Sequence, residues 1–165
     1  MGLTRVRTGG ITDANVTAVK VANNALNVPA FHASLSSDQS ISNATYTRVN
    51  FDTELFDSDG TYDNSSNYRF TPAVAGKYYL YTSVRAETAT DFNNFQIMIR
   101  KNGSDVLFGN VGHVHYENNV VVGIVDSDSD DYFDVFMYQD SGGSVNARGV
   151  ANGMESFFGG FRITT

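Results

Sequence analysis

The segment Tyr62-Asp-Asn-Ser-Ser-Asn-Tyr68-Arg-Phe70-Thr-Pro72-Ala-Val-Ala-Gly76-Lys-Tyr78 constrains the fold more than any other part of the chain. Tyr68 and Phe70 alternate as on a short strand, and Pro72 removes a ladder donor where pairing must stop. Gly76 then permits the turn into a second strand, Tyr78-Tyr-Leu-Tyr-Thr-Ser-Val84. The segment therefore reads as strand, turn, strand. With 12 Phe and 9 Tyr beside 15 Gly and only 2 Pro, the remainder suits many short strands joined by tight turns.

Two later stretches extend the pattern. Ser156-Phe157-Phe158-Gly159-Gly160-Phe161-Arg-Ile163 is a compact aromatic strand near the end of the chain, and Asp130-Asp131-Tyr-Phe-Asp-Val135-Phe-Met137 is an acidic turn followed by an alternating strand. In order and spacing these segments resemble the complement-q and tumour-necrosis-factor superfamily of trimeric jelly rolls. Here Thr71-Pro72 brings the proline one position nearer the Phe strand than is commonest in that family, and Asn67-Tyr68 replaces its usual small residue. The resemblance covers residues 29 to 165. It implies an all-β antiparallel jelly-roll sandwich assembled as a homotrimer, with the last strand passing through the middle of the inner sheet. It does not select a function, because the superfamily includes immune recognition heads, cytokines, adhesive proteins and bacteriophage fibre tips.

Composition narrows the field. The 165 residues suffice for one domain, and the absence of cysteine excludes a disulfide framework, a thiol nucleophile and a cysteine-bound zinc. A net charge of −7 disfavours nucleic acid and anionic membranes as partners. No apolar run approaches the length of a bilayer span, and Met1-Gly-Leu-Thr-Arg-Val6 lacks the apolar core of a signal peptide. These features predict synthesis in a cytoplasm and a place on an assembled particle.

Residues 1–28 differ in kind, being rich in Ala, Val, Asn and Thr and free of aromatic residues. Too few apolar side chains are present to form a core, so the segment is expected to be an N-terminal arm, either docking or frayed. Its cadence Ile11-Thr-Asp-Ala-x-Val16-Thr-Ala-x-Lys-Val21-Ala-Asn-x-Ala-Leu26 resembles connector repeats of bacteriophage tail-fibre proteins. That resemblance implies docking to another virion protein, with Val6, Ile11, Val16, Val19, Val21 and Leu26 as the candidate contacts.

Several strands carry bulky residues on both faces, whereas a free sandwich needs only one apolar face. A second cover is required, and two further copies about a threefold axis would supply it. The candidate seam residues are Tyr79, Tyr81, Phe136, Tyr138, Phe158 and Phe161; which member of each adjacent pair faces the seam depends on register.

Candidate sites for chemistry are few. Asp57, Asp59 and Asp63 could offer oxygen ligands to calcium, although Asp59-Gly60 is equally a turn former. Likewise, Asp126 to Asp134 reads as an acidic turn or an oxygen-rich loop. His113 and His115 share one face of a strand, so three copies could place six nitrogens around a transition metal on the threefold axis; ordinary strand histidines are the alternative. No nucleophile elbow, zinc-protease helix or phosphate loop occurs, which predicts a protein that is not an enzyme and needs no cofactor beyond such a structural metal.

The expectation is a virion structural protein on the tail or capsid surface. In one form it is a trimeric fibre tip or short spike, touching a host-surface glycan or protein through the loop tips at Asn43-Ala44, Asp57 to Asn67 and Ser141 to Asn146. The alternatives are a trimeric capsid decoration protein or head fibre, and a bacterial extracellular adhesin head.

Overall fold

A computed structural model describes residues 27–112, 114–151 and 154–164. Among them the chain forms strands and no helix. The strands are β1 (Ala30–Ser34), β2 (Gln39–Ile41), β3 (Thr47–Arg48), β4 (Thr53–Asp57), β5 (Tyr62–Asp63), β6 (Arg69–Phe70), β7 (Gly76–Phe92), β8 (Phe95–Lys101), β9 (Ser104–Val111), β10 (Val114–Ser127), β11 (Phe133–Gln139), β12 (Val145–Ala147) and β13 (Phe157–Thr164).

They build two antiparallel sheets. The first runs β2-β12-β7-β13-β1-β4, with β10 on the other edge of β7; the second runs β5-β6-β11-β8-β9, with β3 also on β11. As the sequence resemblance implied, the closing strand β13 lies between β7 and β1 in the middle of the first sheet.

The opening segment behaves largely as its residues dictate. β6 stops at Phe70, Thr71 N donates to Thr61 O across the turn, and Ala73 and Gly76 reverse the chain at φ 58° and 154°. Tyr68 departs from expectation. It stands outside β6 at φ 49°, so it does not alternate with Phe70 on a strand.

Aromatic side chains join the sheets. Phe31 of the first sheet stacks on Phe70 and Tyr62 of the second at 4.3 and 5.0 Å and meets Phe158 edge-on at 4.9 Å. Two polar side chains enter the core with their hydrogen-bond partners. Tyr62 Oη donates to Phe51 O, and the buried Asn119 amide donates to Phe95 O and Gly109 O, tying β10 to the second sheet.

Candidate functional site

Register divides the first sheet into a core face and an outer face. Tyr78, Leu80, Thr82 and Val84 of β7 are buried towards the second sheet, which turns Tyr79, Tyr81, Ser83 and Arg85 outward. Cross-strand pairing then lines up rows on the outer face. Ile124, Tyr79, Phe161 and Ala30 form one; Val122, Tyr81, Gly159, His32 and Phe56 form the next; Val120, Ser83, Phe157 and Ser34 form a third.

Much of this surface is apolar and uncovered in the protomer. Val120, Val122, Ile124 and Phe56 are 58%, 51%, 60% and 51% exposed. At its edge Leu55 and Met154 flank a hollow of about 490 Å³ that also takes in Ser34, Ser36, Thr53 and Val150. The aromatic residues are mutually supported, Tyr79 lying 5.4 Å from Phe161 and Tyr81 6.2 Å from Phe157. Gly159 is required by packing, because a Cβ there would come within 2.4 Å of the Tyr81 ring.

That ring reaches His32, whose Nδ1 is 3.0 Å from Tyr81 Oη. His32 was not anticipated from the sequence. It is 9% exposed, flanked by Phe157 and Phe56, and its Nε2 is buried with no partner in the protomer. Burial lowers its pKa below the ordinary 6.5, so the neutral ring belongs to the folded state. The stability it contributes is complete above about pH 6.5 and is lost as pH falls below that value. Melting temperature should therefore drop between pH 7 and pH 5, and His32→Asn should flatten that slope; an unchanged slope would remove His32 from the account.

The six seam candidates do not share one surface. Tyr79, Tyr81 and Phe161 lie on the outer face of the first sheet, but Phe158 points the other way and is fully buried against Phe31, Phe51 and Tyr62. Its neighbour Phe157 takes the outward position. Phe136 and Tyr138 lie on the far side of the molecule, outside the second sheet. Their cover is intramolecular: Arg100 sits 4.0 Å over the Phe136 ring, and Tyr46 lies 4.8 Å from Tyr138.

The calcium candidates are spent on turns. Asp57 accepts from Asp59 N, Thr61 Oγ1 and Tyr62 N; Asp59 accepts from Ser58 Oγ. Asp63 accepts from the backbone of Ser65, Ser66 and Asn67 and from the Asn67 amide. The Ser66 and Ser65 N–H groups hold its carboxyl well below the usual range. Among the described residues no group of three or more metal-ligating side chains is brought together. In the acidic turn, Asp131 is engaged by Lys101 Nζ, Asn102 Nδ2 and Asp128 N.

His113 lies outside the described residues, as do Val6, Ile11, Val16, Val19, Val21 and Leu26; His115 falls on β10 next to an irregularity in its pairing with β7. The three loop tips also separate. Asn43-Ala44 and Ser141–Asn146 meet at one end, where Gly142 N donates to Asn43 Oδ1 and Ala44 N to Gln139 O. The Asp57–Asn67 loop joins the start of β1 at the other end, through Ser58 N to Ala30 O.

No protein-family model matches the chain, and no curated protein matches it. Solved structures do. Murine APRIL at pH 5.0 superposes with TM-score 0.61 at 13% identity, covering 81% of this chain and 98% of that one. Eiger TNF from S. frugiperda gives 0.61 at 9% identity over 82% and 92%, and the globular domain of zebrafish complement 1qA gives 0.57 at 17% over 82% and 97%. The chain has the jelly-roll fold of these tumour-necrosis-factor-like and complement-q-like heads.

Proposed function

We propose that this chain is a non-enzymatic head that forms a homotrimer through the outer face of its first sheet, is carried on a virion through residues 1–28, and presents itself to a host surface. The observation that carries the reading is the apolar ladder from Ile124 and Val122 across Tyr79, Tyr81 and Phe161 to Phe56. Covering each half-exposed aliphatic side chain on it contributes about 1 kcal/mol, and the aromatic residues add more. A second and third copy supply that cover in a closed, symmetric way, and jelly-roll likeness favours three. The virion assignment rests on the connector-like cadence of residues 11–26 and on the lack of cysteine. The non-enzymatic reading is supported by the likeness to tumour-necrosis-factor-like and complement-q-like heads.

Native mass measurement should give three chains, and a stable monomer at micromolar concentration would refute the assembly. Deleting residues 1–27 should leave a folded trimer that fails to join particles, as followed by circular dichroism and by immunoblotting of purified virions. A truncated protein that does not fold would make the arm part of the sandwich, and one still incorporated would place the docking surface on the head.

A further inference from the structure

The outer face of the second sheet has a different chemistry. Register sets Arg69 and Arg100 on either side of Asp134, and Arg48 beside Phe136 two residues further along β11. Three of the chain's 11 basic residues are thus gathered on one face of a protein whose net charge is −7. Each guanidinium lies over an aromatic ring: Arg100 over Phe136 at 4.0 Å, Arg69 over Tyr132 at 4.4 Å and Arg48 over Tyr68 at 5.6 Å.

These cations are only partly neutralised. Arg100 pairs with Asp105 at 2.7 Å; among the described residues Arg48 and Arg69 make no direct side-chain hydrogen bond or ion pair, though both charges act with that of Arg100 on the Asp134 carboxylate between the strands. Arg48 Nε is buried without an acceptor, and the Asp134 carboxylate, 6% exposed, has an Oδ1 without a donor. Asp63 stands beside Arg69 across β5 and β6 with its oxygens bonded to Ser65, Ser66 and Asn67, so it offsets part of the Arg69 charge without a direct hydrogen bond to it. Aromatic surface continues outward at Tyr46 and Phe108, which are 50% and 55% exposed.

We infer that this face binds a carboxylate-bearing glycan, with Arg48 and Arg69 receiving the carboxylate and the exposed Tyr46 and Phe108 packing on the apolar faces of the sugar rings. A guanidinium holds a carboxylate through two parallel N–H bonds, and a cation already stacked on a ring loses little freedom in doing so. The backbones of Arg48 and Arg69 are about 7 Å apart along the sheet, near enough for both long side chains to converge on one carboxylate. A nucleic acid presents about one charge per 1.7 Å, and its continuous phosphate would meet the acidic remainder of the surface. An uncharged sugar would leave both arginines unpaired.

The inference rests on the host-attachment reading and moves the contact from the loop tips to this sheet face. It is tested by binding the full-length protein to a panel of uronic-acid- and sialic-acid-bearing glycans, each beside its carboxyl-reduced counterpart, with poly-glutamate and polyphosphate as further probes. Binding should be confined to the carboxylate glycans, weaken with added salt, and fall at least tenfold in an Arg48→Gln/Arg69→Gln variant shown by circular dichroism to be folded at the assay temperature. It should persist in Ser66→Tyr and Ser144→Tyr, which crowd the loops. Equal binding of reduced glycans, of poly-glutamate or of polyphosphate would overturn the inference, as would the absence of binding or indifference to the arginine variant. Loss in the loop variants alone would return attachment to the loop tips. Competition of the purified head with intact particles for host cells tests attachment itself, independently of the panel.

Discussion

Val122→Asp should yield a folded monomer, whereas Phe158→Asp should yield no folded head. Val122 is 51% exposed on the outer face of the first sheet, so a lone protomer keeps the new carboxylate in water. In the proposed trimer the same charge would enter an apolar seam three times over, at a cost of several kcal/mol for each unpaired carboxylate. Sedimentation should fall from three chains to one, with far-ultraviolet circular dichroism unchanged. Phe158 lies on the other side of the same sheet and is fully buried within ring contact of Phe31, Phe51 and Tyr62. A carboxylate there loses the ring, at about 3–5 kcal/mol, and adds an unpaired charge, a sum comparable to the whole stability of a domain. If Val122→Asp remained trimeric, the seam would lie elsewhere on the head. A folded Phe158→Asp would show that the register of β13 is misassigned.

That contrast marks how far local sequence could reach. Tyr78-Tyr-Leu-Tyr81 and Phe157-Phe158 announce strands with two bulky faces, but only pairing between distant strands decides which face is core. Tyr79, Tyr81 and Phe161 face outward from the first sheet, and Phe158 faces the core. Val120, Val122 and Ile124 escaped notice because they alternate with Val121, Gly123 and Val125, so the run looks uniformly buried. Phe136 and Tyr138 lie outside the second sheet. Their second cover comes from Arg100 and Tyr46, side chains that are charged or solvent-exposed and carry no apolar signal of a partner strand. His32 was invisible because its role depends on Tyr81 Oη, 49 residues away. Asp57 and Asp63 illustrate the converse, a spacing that suggests ligands where each carboxylate caps its own turn.

Phe31→Ala should have the largest effect of any uncharged substitution. Its ring is fully buried and makes contact with Tyr62 and Phe70 across the sandwich and with Phe158 alongside, so its removal leaves a cavity bounded by both sheets. The rings that line it are themselves fixed by strand pairing, and Tyr62 is further held by its bond to Phe51 O, so little collapse can relieve the loss. The expected cost is about 3–5 kcal/mol, or a fall in melting temperature of about 10 °C for a chain of this size. Phe31→Leu should cost much less by retaining volume. Dissociation and unfolding are coupled in a trimer, so both variants need comparison with the parent at one fixed protein concentration. A loss below about 1 kcal/mol in Phe31→Ala would mean that the two sheets are not joined through this cluster. The burden of holding the sandwich closed would then fall on the Phe92, Phe95 and Ile97 end of the core.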